Sequence, residues 1–371
     1  MFRMPNSPVS PTKSPRALCA IVPPFLLSRI ATLDDPRFER AAHAARRSLT
    51  DIGHDHLDHG RHEHTLPPRS LRPDQTAVAR GTISRAISDA QTGEILPGVL
   101  VRSEGEPETG DVSVSEAYDG LGHTFALFWE VFERDSIDDR SSPLEATVHF
   151  GRDYDNAFWD GSRMVFGDGD GEIFTGFTRS LSVIGHELAH GVTEFTAGLV
   201  YRGQSGALNE HVSDVFGALV EQYAWGQTAG EASWLVGEGI FTDEVEGNAL
   251  RSLRAPGTAY DDDVLGKDPQ PAHWDDFIVT QEDNGGVHLN SGIPNRAFWS
   301  AADTLGGFAW ERAGQIWFDT LTNGSLTPRS DFSEFAAATI AAAVARFGDG
   351  SEEQRAVEAG WALVGVVPTT N

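Results

Sequence analysis

The sequence predicts an α+β protein whose first half is rich in strands and whose second half is mainly helical. Three observations carry that expectation. Apolar and polar residues alternate between glycine and proline turns over residues 82–101, and strand signals return over 147–174. From Leu181 onward the apolar residues instead recur every three or four positions. A chain of 371 residues with 40% apolar and 22% charged side chains can also bury a sizeable core in two or three compact units.

Each element follows from its own residues. Residues 1–16, rich in Pro and Ser, predict a disordered head. Leu27, Ile30, Leu33 and Phe38 with Ala41, Ala42 and Ala45 predict one or two short helices over 24–48. The polar stretch from His54 to His64, followed by Pro67, Pro68 and Pro73, predicts an exposed linker. Six of the 13 histidines lie between His43 and His64, so a metal-binding tract is the second reading of this stretch. Leu121, Phe125, Phe128, Trp129 and Phe132 form one stripe and predict a long helix over 115–132. Gly167-Asp-Gly-Asp-Gly171 predicts a hairpin turn, because no Lys-Ser/Thr pair follows and the calcium-loop pattern is incomplete. Helices are expected over 181–196, 206–225, 290–304, 308–321, 331–346 and 352–364.

Charge narrows the function classes. The chain carries 28 Lys+Arg against 55 Asp+Glu, a net charge of −27 and a sequence pI near 4.7. Such a field repels phosphate backbones and anionic lipid, so neither nucleic acid nor a membrane is an expected partner. No apolar run reaches the eighteen or so residues of a spanning helix. The charge is uneven: residues 1–72 hold 11 Lys+Arg against 7 Asp+Glu, a net of +4 that leaves −31 on the remainder. A basic head can dock on an acidic body through that complementarity. The lone cysteine, Cys19, rules out an internal disulfide. Lys13 and Arg16 before an apolar stretch imitate a secretion signal, but Pro23-Pro24 breaks the stretch and no small-x-small cleavage site follows.

The chemistry sits at the seam between the halves. In His186-Glu187-Leu-Ala-His190 the two histidines are four apart on one helical face, so both imidazoles can hold one small cation. Glu187 is one position along and can reach a water held by that cation without being a ligand. A third ligand is needed. A histidine six residues past His190 is not available, because that position is Thr196. Glu210 and Asp214, four apart on the next helix, supply two carboxylates. One of them can complete a tetrahedral site while the other accepts a hydrogen bond from the far nitrogen of a ligand histidine.

At these residues the sequence resembles the thermolysin family of zinc metalloendopeptidases, over nearly all of 75–366. The matching stretches are Asn156-Ala-Phe-Trp-Asp-Gly161, Gly167–Gly171, His186–His190, Thr196–Tyr201, Asn209–Asp214, Ala249–Ser252 and Asp283–Gly292. The resemblance implies two lobes with the zinc helix at the floor of the cleft, preceded by a short helical propeptide. The implied boundaries are 1–70 for propeptide and linker, 71–200 for the β-rich lobe ending in the zinc helix, and 201–371 for the helical lobe. It implies one catalytic zinc held by His186, His190 and Glu210, with Asp214 behind the first histidine. Glu187 is then the general base toward a zinc-bound water, Tyr201 and His288 donate to the oxyanion, and Asp283 orients His288. Asn156 and the Ala157 backbone pair with substrate as an added strand, and Arg251 bonds a substrate carbonyl. Phe174, Phe177, Val183, Val236 and Leu250 form an apolar specificity pocket, which predicts cleavage before Leu, Phe, Ile or Val.

Calcium is where the sequence departs from the family. Glu221 and Glu238 match calcium carboxylates, but Ser182 and Ser233 replace aspartates, which leaves at most one weak site. The head, through Cys19, Ile21, Val22, Pro23, Pro24, Leu27 and Ile30, resembles the short-propeptide, protealysin-like branch. That implies inhibition by the enzyme's own propeptide and secretion without a conventional signal peptide, with a cytoplasmic location as the alternative. Cys19 reads first as a small apolar residue packed in the head and second as a candidate to occupy zinc's open position. Family members are monomers that act on peptides and proteins. Two other functions compete: an inactive relative that binds peptides, which requires a gap in the catalytic set, and a metal-sequestering protein acting through His54–His64. Counting bound metal separates the latter, since a protease holds one zinc independent of that tract.

Overall fold

The computed structural model describes residues 19–58 and 79–369. The chain opens with strand β1 (Cys19–Ala20) and helices α1 (Pro24–Ala31) and α2 (Glu39–Asp58). Strands β2 (Arg85–Asp89) and β3 (Val99–Ser103) lead to helix α3 (Val112–Ala126), then to β4 (Leu144–Val148), β5 (Ala157–Trp159) and β6 (Met164–Phe166). Helices α4 (Leu181–Glu194) and α5 (Gly203–Trp225) follow. Two small ribbons, β7 (Leu235–Val236) with β8 (Arg251–Ser252) and β9 (Asp261–Asp262) with β10 (Gly266–Lys267), precede a helical end. That end comprises α6 (Asp283–Asn290), α7 (Gly292–Leu305), α8 (Ala313–Thr322), α9 (Phe332–Phe347) and α10 (Glu352–Leu363).

The main sheet has six strands in the order β1-β5-β6-β4-β2-β3. Its centre is parallel, β6 with β4 and β4 with β2, while β5 and β3 run antiparallel to their neighbours. The outermost strand on one side is β1, from the N-terminal head. Cys19 pairs with Trp159 and Ala20 with Phe158, antiparallel. No alternation in the sequence announces so short a strand; the free edge of β5 makes it.

Several expectations change in detail. The predicted helix over 115–132 begins at Val112, capped by the Asp111 carboxylate accepting from Val114 N at 3.0 Å, and ends in a π-helical turn over Leu127–Val131. Helix α2 runs to Asp58, so the expected linker does not begin at His54; once nucleated, a helix adds a bond with each residue. The remainder of the His54–His64 tract, like residues 1–16, lies outside the described residues. Gly167–Gly171 joins no pair of hydrogen-bonded strands. Asp170 instead accepts from the backbone of Glu172 and Ile173 at 2.5 and 2.6 Å, and Phe174 then bridges to Phe241.

Helices α4 and α5 pack closely because glycines face each other where they cross. A Cβ on Gly217 would lie 2.4 Å from the Ser182 carbonyl oxygen and 3.0 Å from His186 N, and one on Gly185 would meet the Gly217 Cα at 3.0 Å. Gly217→Ala therefore forces the helices apart, and overpacking of this kind costs about 1–3 kcal/mol. The variant should melt several degrees lower by calorimetry. In an open helix the same change gains about 1 kcal/mol, so a higher midpoint would mean that α4 and α5 have room to spare.

Candidate active site

Close approach of α4 and α5 brings the two halves of the site together. His186 and His190 lie one turn apart on α4, with their Nε2 atoms 3.0 Å from each other. Glu210 on α5 reaches both: Oε1 is 3.4 Å from His190 Nε2, and Oε2 is 3.6 Å from His186 Nε2. All three side chains are buried. The outer nitrogens face the protein. His190 Nδ1 is 2.8 Å from Asn209 Oδ1 and 3.0 Å from Ser213 Oγ. His186 Nδ1 is 2.8 Å from Asp214 Oδ1, in a contact bent away from the N–H axis.

This arrangement fits a metal ion. With the outer nitrogens carrying the protons, both Nε2 lone pairs point at one another beside a carboxylate, which is unfavourable unless a cation lies among them. Burial holds His190 down to about 4, so it is neutral with its lone pair open. Burial opposes ionisation of Glu210, but the charge of the nearby His288 helps to outweigh it and Glu210 is held below its usual value. Glu210 Oε2 has no hydrogen-bond partner although it is buried. Two imidazoles and a carboxylate with one position left open are the donor set of a catalytic zinc. Among the described residues this is the one group of three His, Cys, Asp or Glu side chains close enough to share an ion.

Glu187 points both carboxylate oxygens into the same buried space without a hydrogen-bond partner. Burial, reinforced by the Glu210 charge, raises its pKa. Across the cleft the Tyr201 hydroxyl donates to Glu210 and lies 3.2 Å from His288 Nε2. Asp283 grips His288 twice, accepting from its backbone N–H at 2.9 Å and meeting its Nδ1 at 2.6 Å. A left-handed run at Asn284, Gly285 and Gly286 folds Asp283 back over His288 within α6. Burial opposes protonation of His288, but Glu210 and Asp283 raise it to about 9. Its Nε2–H then donates to the Ala20 carbonyl at 3.0 Å.

The head of the chain occupies the cleft. Ile21 N donates to the Ala157 carbonyl at 3.0 Å, and Arg251 Nη1 donates to the Ile21 carbonyl at 3.0 Å. Val22 N donates to Asn156 Oδ1 at 2.9 Å, while Asn156 Nδ2 donates to the Val22 carbonyl at 3.4 Å. Pro23 and Pro24 then turn the chain into α1, where Leu26 and Leu27 N–H groups bond the Pro23 carbonyl and Leu27 is buried. Arg29 donates to the Val264 and Asp263 carbonyls at 2.8 and 2.7 Å, and Arg40 and Arg47 lie 3.6 Å from Glu172 and Asp153. Cys19 is not part of the three-ligand group. Its thiol sits by Tyr201, and burial with the nearby Glu210 and Glu187 charges pushes it up.

The family profile described as the thermolysin metallopeptidase catalytic domain matches residues 98–194, and that of the α-helical domain matches 197–366. The chain is 49% identical over 353 residues to an extracellular metalloprotease of Pectobacterium carotovorum, covering 95% of this chain and 97% of the relative. The chain belongs to the thermolysin family of zinc metalloendopeptidases. Protease PrtS of a Photorhabdus strain is 50% identical over 291 residues, 78% of each chain. The solved precursor of protealysin from Serratia proteamaculans superposes with a TM-score of 0.84 at 48% identity, covering 94% of this chain and all of that one. The two-part thermolysin fold, with a β-sheet domain and a helical domain, is thus established, and the N-terminal helices are consistent with a propeptide.

Within this thermolysin-family site the remaining expected residues lie as follows. The Phe174 and Phe177 rings lie 5.6 Å apart, tilted by 35°, Leu250 N donates to the Val236 carbonyl at 3.0 Å, and these four with Val183 are buried. Arg251 grips Asp214 with Nε and Nη2 at 2.9–3.1 Å. Glu221 is raised to about 7 by burial and by Glu238, yet the pair is joined to no third His, Cys, Asp or Glu ligand among the described residues. Sequence reasoning missed Asn209, Ser213 and Asn295, the last donating to Asp214 Oδ2 at 2.8 Å. Asn209 and Ser213 repeat the four-residue spacing of Glu210 and Asp214, a signal that could have found them; Asn295 has none.

Metal removal tests the donor set. Treatment with a zinc chelator should lower the thermal midpoint, because three buried donors lose their shared ion, and added zinc should restore it. In His190→Ala the chelator should leave the midpoint almost unmoved. An equal drop in both proteins would place the stabilising metal elsewhere.

Proposed function

We propose that this metalloendopeptidase cuts on the N-terminal side of bulky apolar residues and is made as a precursor inhibited by its own head. The reading is carried by one observation: the Ala20 carbonyl accepts from His288 while Ile21 and Val22 bond Ala157, Arg251 and Asn156. A peptide substrate following the same path would add a strand to β5, with backbone bonds supplying affinity and pockets supplying choice. Its scissile carbonyl would lie where that of Ala20 lies, with an apolar side chain in the position of the buried Ile21. Phe174, Phe177, Val183, Val236 and Leu250 are assigned to the pocket that receives it.

Zinc, held by His186, His190 and Glu210, supplies a Lewis acid that polarises a carbonyl and makes water acidic near neutral pH. The protein's own groups do the rest. Glu187, buried and free of hydrogen bonds, takes the proton of the attacking water and returns it to the departing amine. His288 and Tyr201 donate to the substrate oxygen as it gains charge, and Asp283 keeps His288 protonated and aimed. Asp214, with Oδ1 2.8 Å from His186 Nδ1, favours the proton on that nitrogen and so leaves Nε2 free for the metal.

The inhibitory contacts are backbone bonds and apolar burial from Ala20 to Leu27, through Pro23 and Pro24, rather than a bond through the Cys19 thiol. Relatives named as extracellular metalloproteases support secretion, and the sequence supports a route without a conventional signal. A monomer acting on peptide and protein substrates, with at most one weak calcium site at Glu221 and Glu238, completes the proposal.

Two measurements test it. Glu187→Gln should keep its zinc and its fold while casein hydrolysis falls about 10²–10⁴-fold or more; a tenfold fall or less would move the base to another residue. Ile21→Asp places an unpaired carboxylate in a buried site, so the intact precursor should hydrolyse casein before its head is removed, whereas Cys19→Ser should stay latent. Activity in uncleaved Cys19→Ser alone would transfer the inhibition to the thiol.

A further inference from the structure

Behind the ligand His186 runs a line of buried polar groups that crosses four helices, and the members beyond Asp214 take no part in the chemistry above. Trp317 Nε1 on α8 donates to His211 Nε2 on α5 at 2.7 Å. His211 Nδ1 meets Asn295 Oδ1 on α7 at 2.8 Å, and Asn295 Nδ2 donates to Asp214 Oδ2 at 2.8 Å. Asp214 Oδ1 faces His186 Nδ1 on α4 at 2.8 Å. Every member is at most 1% exposed, so water cannot substitute for a missing partner.

The direction of this chain is fixed from its far end. An indole N–H can only donate. His211 Nε2 must therefore be the acceptor, which leaves the ring proton on Nδ1. That proton requires the oxygen of Asn295, and not its nitrogen, on the His211 side. The amide nitrogen is then turned toward Asp214. Reversal of either His211 or Asn295 would set an oxygen lone pair against the Asp214 carboxylate. Arg251 also bonds both oxygens of Asp214, but it bonds neither His211 nor Asn295 and so does not select the Asn295 rotamer.

We propose that Trp317, His211 and Asn295 are positioning residues, a one-way hydrogen-bond chain that holds Asp214 in place and thereby aims the His186 ring at zinc. The inference rests on the zinc site described above. Packing alone does not explain it, because a second tryptophan provides the contrast. Trp361 stacks on Trp317 at 6.3 Å with an 11° interplanar angle, is equally buried, and donates instead to Thr339 Oγ1 at 2.8 Å. The same substitution at either position removes the same volume and one hydrogen bond. Only Trp317 leads to the metal.

The test uses the full chain carrying Glu187→Gln, so that it cannot digest itself. Zinc affinity is measured by competition with a chromogenic chelator, and the visible absorption of the cobalt-substituted protein reports ligand geometry. Trp317→Phe and Asn295→Leu should each weaken zinc binding severalfold, up to the about 10–100-fold that loss of a ligand's own outer partner costs, and should shift the cobalt bands. Trp361→Phe should lower the melting temperature with affinity and cobalt spectrum unchanged. Should Asn295→Leu not fold, Trp317→Phe set against the volume-matched Trp361→Phe decides the matter. Equal zinc affinities and cobalt spectra for Trp317→Phe and Trp361→Phe would overturn the chain. A parent protein that takes up no zinc would instead overturn the zinc site, and the chain with it.

Discussion

Three lone-pair donors converge on one buried point between α4 and α5, and most of the surrounding structure serves to hold them there. Two imidazole nitrogens 3.0 Å apart beside a carboxylate repel one another until a cation lies among them. Keeping that arrangement requires helices close enough for their glycines to touch, so Gly185 and Gly217 belong to the site although they have no side chains. It also requires every outer nitrogen to be spoken for. Asn209 and Ser213 face one histidine and Asp214 the other, with Arg251 and Asn295 restraining Asp214 in turn. The site is thus a consequence of helix packing rather than of flexible loops.

The same geometry lets one extended strand occupy the path proposed for a substrate. The edge of β5 offers unpaired backbone groups beside the zinc ligands, and an extended chain can satisfy them. In this molecule the head of the protein takes that role, with β1 hydrogen-bonded along the edge and α1 beginning directly after the two prolines. Basic residues on α1 and α2 meet acidic or carbonyl oxygen partners on the body, in keeping with the opposite charges of the two parts.

What the sequence made legible was what is encoded locally. Histidines four apart on a helix must share a face, and so must Glu210 and Asp214, so spacing brought two histidines and two candidate carboxylates into view, while the choice of Glu210 as the third ligand came from the family resemblance. The long apolar stripe of α3 was equally plain. Features created by distant partners were not. Strand β1 is two residues long and exists because β5 has a free edge. Asn295 lies 81 residues from Asp214, and nothing in its neighbourhood marks it as a support. The run from Gly167 to Gly171 resembled a hairpin turn by composition, yet Asp170 uses its carboxylate to bond the next backbone groups and sends the chain toward Phe241 instead.

Strand β1 belongs to the same polypeptide as the cleft it fills, which makes the proposed latency a question of concentration. While residues 59–78 join head to body in one chain, the strand competes for the cleft from within the molecule, so its hold does not fall on dilution. Cutting the connection changes no contact between strand and cleft. It converts an internal equilibrium into an ordinary dissociation, governed by how many molecules share a given volume. A crowded compartment then keeps severed heads bound, whereas dilution into a larger volume frees the enzyme.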